Sequence, residues 1–142
     1  MNLVGSNIDI GSLKFDNETV NDTQKKIVAV ATNSTEYGIS ARSGYCQAWV
    51  ADVYQAVTGS RGSAHCALCA ADMWAVSSDF SQIPVGATVY GYSSSQYGHV
   101  GIYIGNGMVA HNIGEIKIQS LESWIETYKG FAWGWENNMS LV

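Results

Sequence analysis

Residues 98–112 read GHVGIYIGNGMVAHN, two apolar stretches around a Gly-Asn-Gly centre. Apolar runs flanking such a centre predict a β-hairpin. The stretch also holds two of the three histidines of the chain, His99 and His111. Side chains alternate between the faces of a strand, so the register of this hairpin decides whether the two imidazoles meet. Pairing position 99 with 113 and 101 with 111 sets both on one face as diagonal neighbours. That frame needs a three-residue turn at Gly105-Asn106-Gly107, or a bulge. A plain two-residue turn at Asn106-Gly107 puts them on opposite faces. In the first frame Val100, Ile102 and Ile104 pack one way, and His99, Gly101 and Tyr103 point the other. Gly101 then leaves open space beside His99 for a substrate or a facing helix.

The pattern extends on both sides. VGATVYGY (85–92), EIKIQS (115–120) and GFAWGWEN (130–137) also read as strands, with Phe131, Trp133 and Trp135 sharing a face. LESWIETY (121–128) reads as a short helix with Leu121, Trp124, Ile125 and Tyr128 on one side. Upstream, three helices are expected: one from Asn21, capped there or at Asp22, one over 46–57, and one over 63–76. Helices first and strands second argue for an α+β domain, with N-terminal helices packed on an antiparallel sheet. Residues 1–20 are polar with weak alternation and are expected to form an arm or linker. Residues 21–142 form the folded domain.

The 142 residues suit one domain, and 46% of them are hydrophobic, enough for a core without staples. Twelve acidic against seven basic side chains give a net charge of −5, with no clustered basic face. Nucleic acid and anionic membrane surfaces are therefore disfavoured as partners. No apolar run approaches the ~18 residues of a spanning helix. The start, MNLVGSNIDIGSLKF, does not read as a signal peptide. That leaves a chain that acts inside a cell, leaves by a non-standard route, or is a piece of a longer protein.

Cys46, Trp49, Val50, Val53, Tyr54 and Val57 follow a helical stripe, with Ser43 as the expected N-cap and Gly59 as the stop. Cys46 thus lies on the first turn, where unpaired N–H groups and the helix dipole favour a thiolate. A lowered pKa and a nucleophilic role are expected; a small buried hydrophobe is the plainer alternative. Two histidines on one hairpin face favour the first. His99 then takes the Cys46 proton, and His111 fixes the tautomer of His99.

The other signals are weaker. Three cysteines, Cys46, Cys66 and Cys69, leave at least one thiol unpaired within the chain. HCALC (65–69) offers up to three zinc ligands, but a second CxxC is missing. Cys66, Cys69, Ala70, Met73 and Trp74 are expected on the apolar stripe of their helix, which favours core packing over metal or redox use. His65 is then a surface or boundary residue. Trp133 and Trp135 are expected in the core rather than in a carbohydrate-binding face.

A cysteine opening a helix, then a strand reading G-H-V-G-I-Y-I-G, then a turn and a second histidine, resembles the NlpC/P60 cysteine peptidases of the papain-like superfamily. The resemblance covers residues 22–135. It implies a papain-like α+β fold, Cys46 as nucleophile, His99 as base and His111 as third polar member, with no metal or cofactor. It also implies a bacterial peptidoglycan peptide as substrate, and action on the cell wall, as in phage endolysins and bacterial autolysins. Such a domain is often fused to a wall-binding domain in a longer chain. CHAP amidases share the Cys-then-His order, and a non-catalytic wall-binding module is a further alternative. The family motif Asp-Cys-Ser-Gly is replaced here by Tyr45-Cys46-Gln47-Ala48. The aspartate that grips a substrate amino group is thus missing, and Tyr37 and Tyr45 are the candidates for substrate contact.

Overall fold

Asn21 starts the first regular element. Its side chain accepts from the Gln24 N–H, and the Gln24 side chain accepts from the Asn21 N–H. This capping box opens α1, Asp22–Thr32. α2 follows at Cys46–Thr58 and stops at Gly59, whose φ of 82° is the usual left-handed helix ending. Ser43 is not its cap. Tyr45 holds that position without a side-chain bond.

α3 spans Ala67–Trp74, shorter than the expected 63–76. Cys66 caps it by accepting from the Cys69 N–H, and the chain leaves the helix directly into β1, Ala75–Ser77. The buried stripe is Ala67, Ala70, Ala71 and Trp74, turned from the expected one. Cys69 and Met73 are exposed. The core role expected for Cys66 and Cys69 is therefore wrong: they are joined by a disulfide at the helix start. Small alanines at i, i+3 and i+4, with Trp74 at i+7, face α3 toward the sheet, and the sulfur groups fall outside that stripe.

The remaining elements are β2 (Thr88–Gly91), β3 (His99–Gly105), β4 (Met108–Asn112), β5 (Ile116–Ser120), α4 (Leu121–Tyr128) and β6 (Gly130–Gly134). The computed structural model describes residues 7–142. Its six strands form one antiparallel sheet in the order β1-β6-β2-β3-β4-β5, so the architecture is α+β, as the order of helices and strands predicts. α1 and α2 pack on each other and on β3, and α4 lies against β4, β5 and β6. Ile27, Val30, Trp49, Val53, Val100 and Ile102 are fully or almost fully buried in the resulting core. Burying one large side chain of this kind contributes about 1.5–3 kcal/mol. The polar tips buried with them find partners: Trp49 Nε1 donates to Ser34 Oγ at 3.0 Å, and Tyr54 Oη donates to the Gly86 carbonyl at 2.5 Å. Trp133 and Trp135 are buried, edge to face.

Residues 7–20 hold no helix or strand, but they are attached to the sheet. The Glu18 carboxylate accepts from Tyr103 Oη at 3.0 Å and from the Asn106 N–H at 2.7 Å. Asn106 returns a bond to the Lys14 carbonyl. Ile8 is buried. The segment thereby grips the tip of the β3–β4 hairpin.

That hairpin keeps the frame that unites the histidines, by the second of the two routes. Ile102 pairs with Ala110 and Tyr103 with Val109. The turn itself is two residues, Asn106 and Gly107, both at positive φ (54° and 72°), the conformation that matches strand twist. A bulge at Ile104, between Tyr103 and Gly105, supplies the extra residue that restores the odd frame. The expected three-residue turn is thus replaced by a two-residue turn plus a bulge.

Gly101 does not face open space. A Cβ there would lie 2.7 Å from Val109 Cγ1 and 3.1 Å from His111 Cβ. Its missing side chain is what lets His111 lean across β3. Gly101→Ala should lower the free energy of unfolding by about 1–3 kcal/mol, the usual cost of forcing an extra methyl into a packed site. Denaturant titration measures it. An unchanged midpoint would mean that β4 moves aside freely.

Candidate active site

Four segments meet at a cleft of about 1130 Å³. The start of α2 contributes Tyr45 and Cys46, the start of α3 contributes Cys66, the approach to β3 contributes Tyr97 and His99, and the end of α4 contributes Tyr128. Ser93 and Ser95 of the SSSQYG loop lie on the same wall. Cys46 is half-buried and is the one free cysteine.

Two buried side chains hold the helix start that carries Cys46. Asn112, at the end of β4, donates through Nδ2 to the Arg42 carbonyl at 2.8 Å and to the Tyr45 carbonyl at 3.4 Å. It therefore ties the loop before Cys46 to the strand that carries His111. Gln47, next to Cys46, donates at 2.7 Å to Glu136, a carboxyl group with no solvent exposure. Burial pushes the Glu136 pKa up, opposed by the Gln47 hydrogen bond and the nearby Arg61 charge. One oxygen of each partner, Gln47 Oε1 and Glu136 Oε2, has no hydrogen-bond partner.

The two imidazoles are in direct contact. His99 Nε2 and His111 Nδ1 lie 2.9 Å apart, and His111 Nε2 lies 3.1 Å from Gln119 Oε1. His99 is among the residues lining the cleft, whereas His111 is fully buried behind it. Trp124 and Tyr128, one α4 turn apart, close the box: the His99 ring lies 5.9 Å from the first and 4.4 Å from the second, centroid to centroid. Cys46 and His99, from α2 and β3, thus line one cleft, and His111, from β4, backs His99. Of the two tyrosines expected to touch substrate, Tyr45 is half-exposed on the cleft wall with Arg42 over its ring. Tyr37 packs against the core and does not line the cleft.

Burial governs the electrostatics. The Cys46 pKa is raised, against expectation: desolvation outweighs the backbone N–H groups of Val100, Gln47 and Cys46 that favour the thiolate. The first turn of α2 does act in the expected direction, but too weakly. The same burial lowers His99 to about 4, helped by charge repulsion from His111. His111 is also lowered to about 4 by burial, with Gln119 pulling it up and Lys117 pushing it down. At neutral pH the resting cleft holds a thiol and a neutral His99 imidazole, backed by a neutral His111. A neutral imidazole can accept a proton, which is what a base for a buried thiol must do.

Sequence reasoning missed Asn112, Gln119 and Glu136. Asn112 and Glu136 act on residues far away in the chain, which leaves no local signal. Gln119 has one: with Ser123 and Thr127 it forms an i, i+4, i+8 polar row, although the row crosses from strand to helix. Among the described residues, no group of three or more His, Cys, Asp and Glu side chains stands close enough to hold a metal ion. No helix among them is long and apolar enough to cross a membrane. The chain matches no known family model, and no curated protein matches it.

The lowered histidines set a pH dependence of stability. Their neutral form is favoured in the fold, so the unfolded chain takes up protons first as pH falls. The stabilisation is complete above the unfolded value near 6.5 and is lost progressively towards about 4. The thermal midpoint should therefore drop over this window. A His99→Gln/His111→Gln double variant should show a shallower drop. Equal slopes in the two proteins would contradict the assignment of buried neutral imidazoles.

Proposed function

We propose that this chain is a papain-like cysteine hydrolase of the NlpC/P60 type that cuts amide bonds in bacterial peptidoglycan. The observation that carries the reading is the pair of contacts behind the cleft. His99, on the cleft wall with Cys46, is backed at 2.9 Å by a buried His111. A histidine pair kept dry and linked in this way is hard to account for by packing alone, since buried polar groups destabilise a core unless they are paired. The α+β architecture, with Cys46 opening a helix and the histidines on neighbouring strands, agrees with the fold that the motif resemblance implies.

Cys46 Sγ attacks the carbonyl carbon of a peptide in the cleft while His99 takes the thiol proton at Nδ1. The oxygen becomes an oxyanion, and in this reading the Cys46 N–H at the start of α2 is one of its donors. Losing one such donor typically costs ~10²–10³ in rate. The intermediate collapses to a thioester, and the leaving amine takes the proton from His99. Water then attacks the thioester, giving its proton to His99, and the acid and the free thiol are released. Because the resting pair is neutral, proton transfer accompanies attack instead of preceding it. Tyr45, half-exposed on the cleft wall where the family motif has its aspartate, is the candidate for substrate contact.

The test is digestion of purified bacterial walls by the protein and by Cys46→Ala, with released fragments weighed by mass spectrometry. Release by the unaltered protein alone is expected, and the fragment masses identify the bond, including the muramic acid amide that a CHAP-type amidase would cut. Equal release by both proteins would rule out Cys46 as nucleophile. Release by neither, with both pulled down on the walls, would favour the wall-binding module.

A further inference from the structure

The proton positions on the two imidazoles are set from outside the pair. Gln119 leaves β5 beside His111 and sits between it and α4. Its Nε2 donates to Ser123 Oγ at 2.8 Å and to Thr127 Oγ1 at 3.2 Å. A primary amide has two hydrogens on nitrogen, and with Nε2 against α4 both go to hydroxyl oxygens, which can accept as well as donate. What faces His111 is Oε1, at 3.1 Å from its Nε2, and this oxygen can only accept. In this orientation of the amide His111 carries its proton on Nε2, which leaves Nδ1 as an acceptor. His99 Nε2, at 2.9 Å from that Nδ1, is then the donor. A neutral imidazole holds one proton, so His99 Nδ1 is left bare. Ser123 and Thr127 are four residues apart on α4, one above the other on the same face, and this is what lets one amide reach both. Ser123 is itself fixed, because Ser120, the α4 cap, accepts from the Ser123 N–H.

We propose that Gln119 is a positioning residue, held by Ser123 and Thr127, that fixes the tautomers of His111 and His99 so that the unprotonated Nδ1 of His99 serves the cleft. The role of that nitrogen as a base rests on the function proposed above; the tautomers themselves do not. Gln119 touches neither the substrate site nor Cys46. It acts through His111, as His111 acts through His99. A donor in place of Oε1 would reverse both tautomers and turn a protonated nitrogen of His99 toward the cleft.

The tautomers can be read in the free protein by long-range 1H–15N correlation with 15N-labelled histidine at about pH 7.5, near neutrality and well above the window in which these histidines titrate. The unaltered protein should show both histidines protonated on Nε2. Gln119→Leu removes the acceptor and should move His111 to a mixture of tautomers, with His99 following. Gln119→Glu keeps an acceptor at the same place and should restore the Nε2–H form. Gln119 is only half-buried, so both variants should fold, and the dispersion of the amide spectrum checks this. On the wall substrate, Gln119→Leu should lower kcat, by up to the ~10²–10⁴ of a positioned base, while KM holds. Unchanged tautomers in Gln119→Leu, or loss of the Nε2–H form in Gln119→Glu, would overturn the proposal. If the tautomers shift as expected but the walls are not cut, the proposed function fails and the positioning role stands.

Discussion

One inserted residue in the β3–β4 hairpin governs whether this chain has a site at all. Asn106 and Gly107 form the two-residue turn favoured by strand twist, and on its own that turn would separate His99 from His111. The bulge at Ile104 shifts the frame by one and brings both to the same face. The rest of the structure supports this frame. Glu18 and Lys14 hold the turn from the N-terminal side, and Gly101 clears the ground that His111 crosses. Asn112, two residues into the same face pattern from Ala110, ties the Cys46 loop to the end of β4. A slip of the hairpin would therefore break the imidazole contact and the tether of the thiol together.

The second constraint is desolvation. The helix start, the neighbouring backbone N–H groups and the imidazoles all suggest a reactive thiolate, yet the apolar box of Trp124 and Tyr128 and the packing of α2 favour neutral groups. Burial wins because the charged forms lose more hydration than a few hydrogen bonds return. Under the proposed function, the charge separation waits for a substrate: a carbonyl entering the cleft would supply the charge acceptor, and the proton would move when attack begins. The same burial strengthens the hydrogen bond between His99 and His111.

Legibility in the sequence varied with the range of the interaction. α2 and α4 appear in the chain as plain helical stripes, and the strands after Pro84 appear as alternation between turn residues. The hairpin frame was readable only as a choice between two, because a bulge leaves no mark in composition. α3 is less legible: Cys66 and Cys69 are apolar enough to pass for core residues, and nothing local marks their disulfide. Cys46, His99 and His111 stand out in the sequence because thiol and imidazole are rare side chains with distinct chemistry. Asn112, Gln119 and Glu136 are common polar residues whose meaning comes from partners across the fold. The Cys46 pKa could not be read either, since its direction depends on how completely distant elements bury it.

The central claim is that Cys46 attacks a peptidoglycan carbonyl and carries the acyl group as a thioester. Rapid acid quenching of the protein during turnover of soluble wall fragments, followed by proteolysis and mass mapping, tests it most directly. An acyl adduct on the fragment containing Cys46, hydroxylamine-labile and missing when the walls are left out, is the predicted result. Turnover with no adduct on Cys46 at any quench time, and unimpaired by Cys46→Ala, would contradict the account.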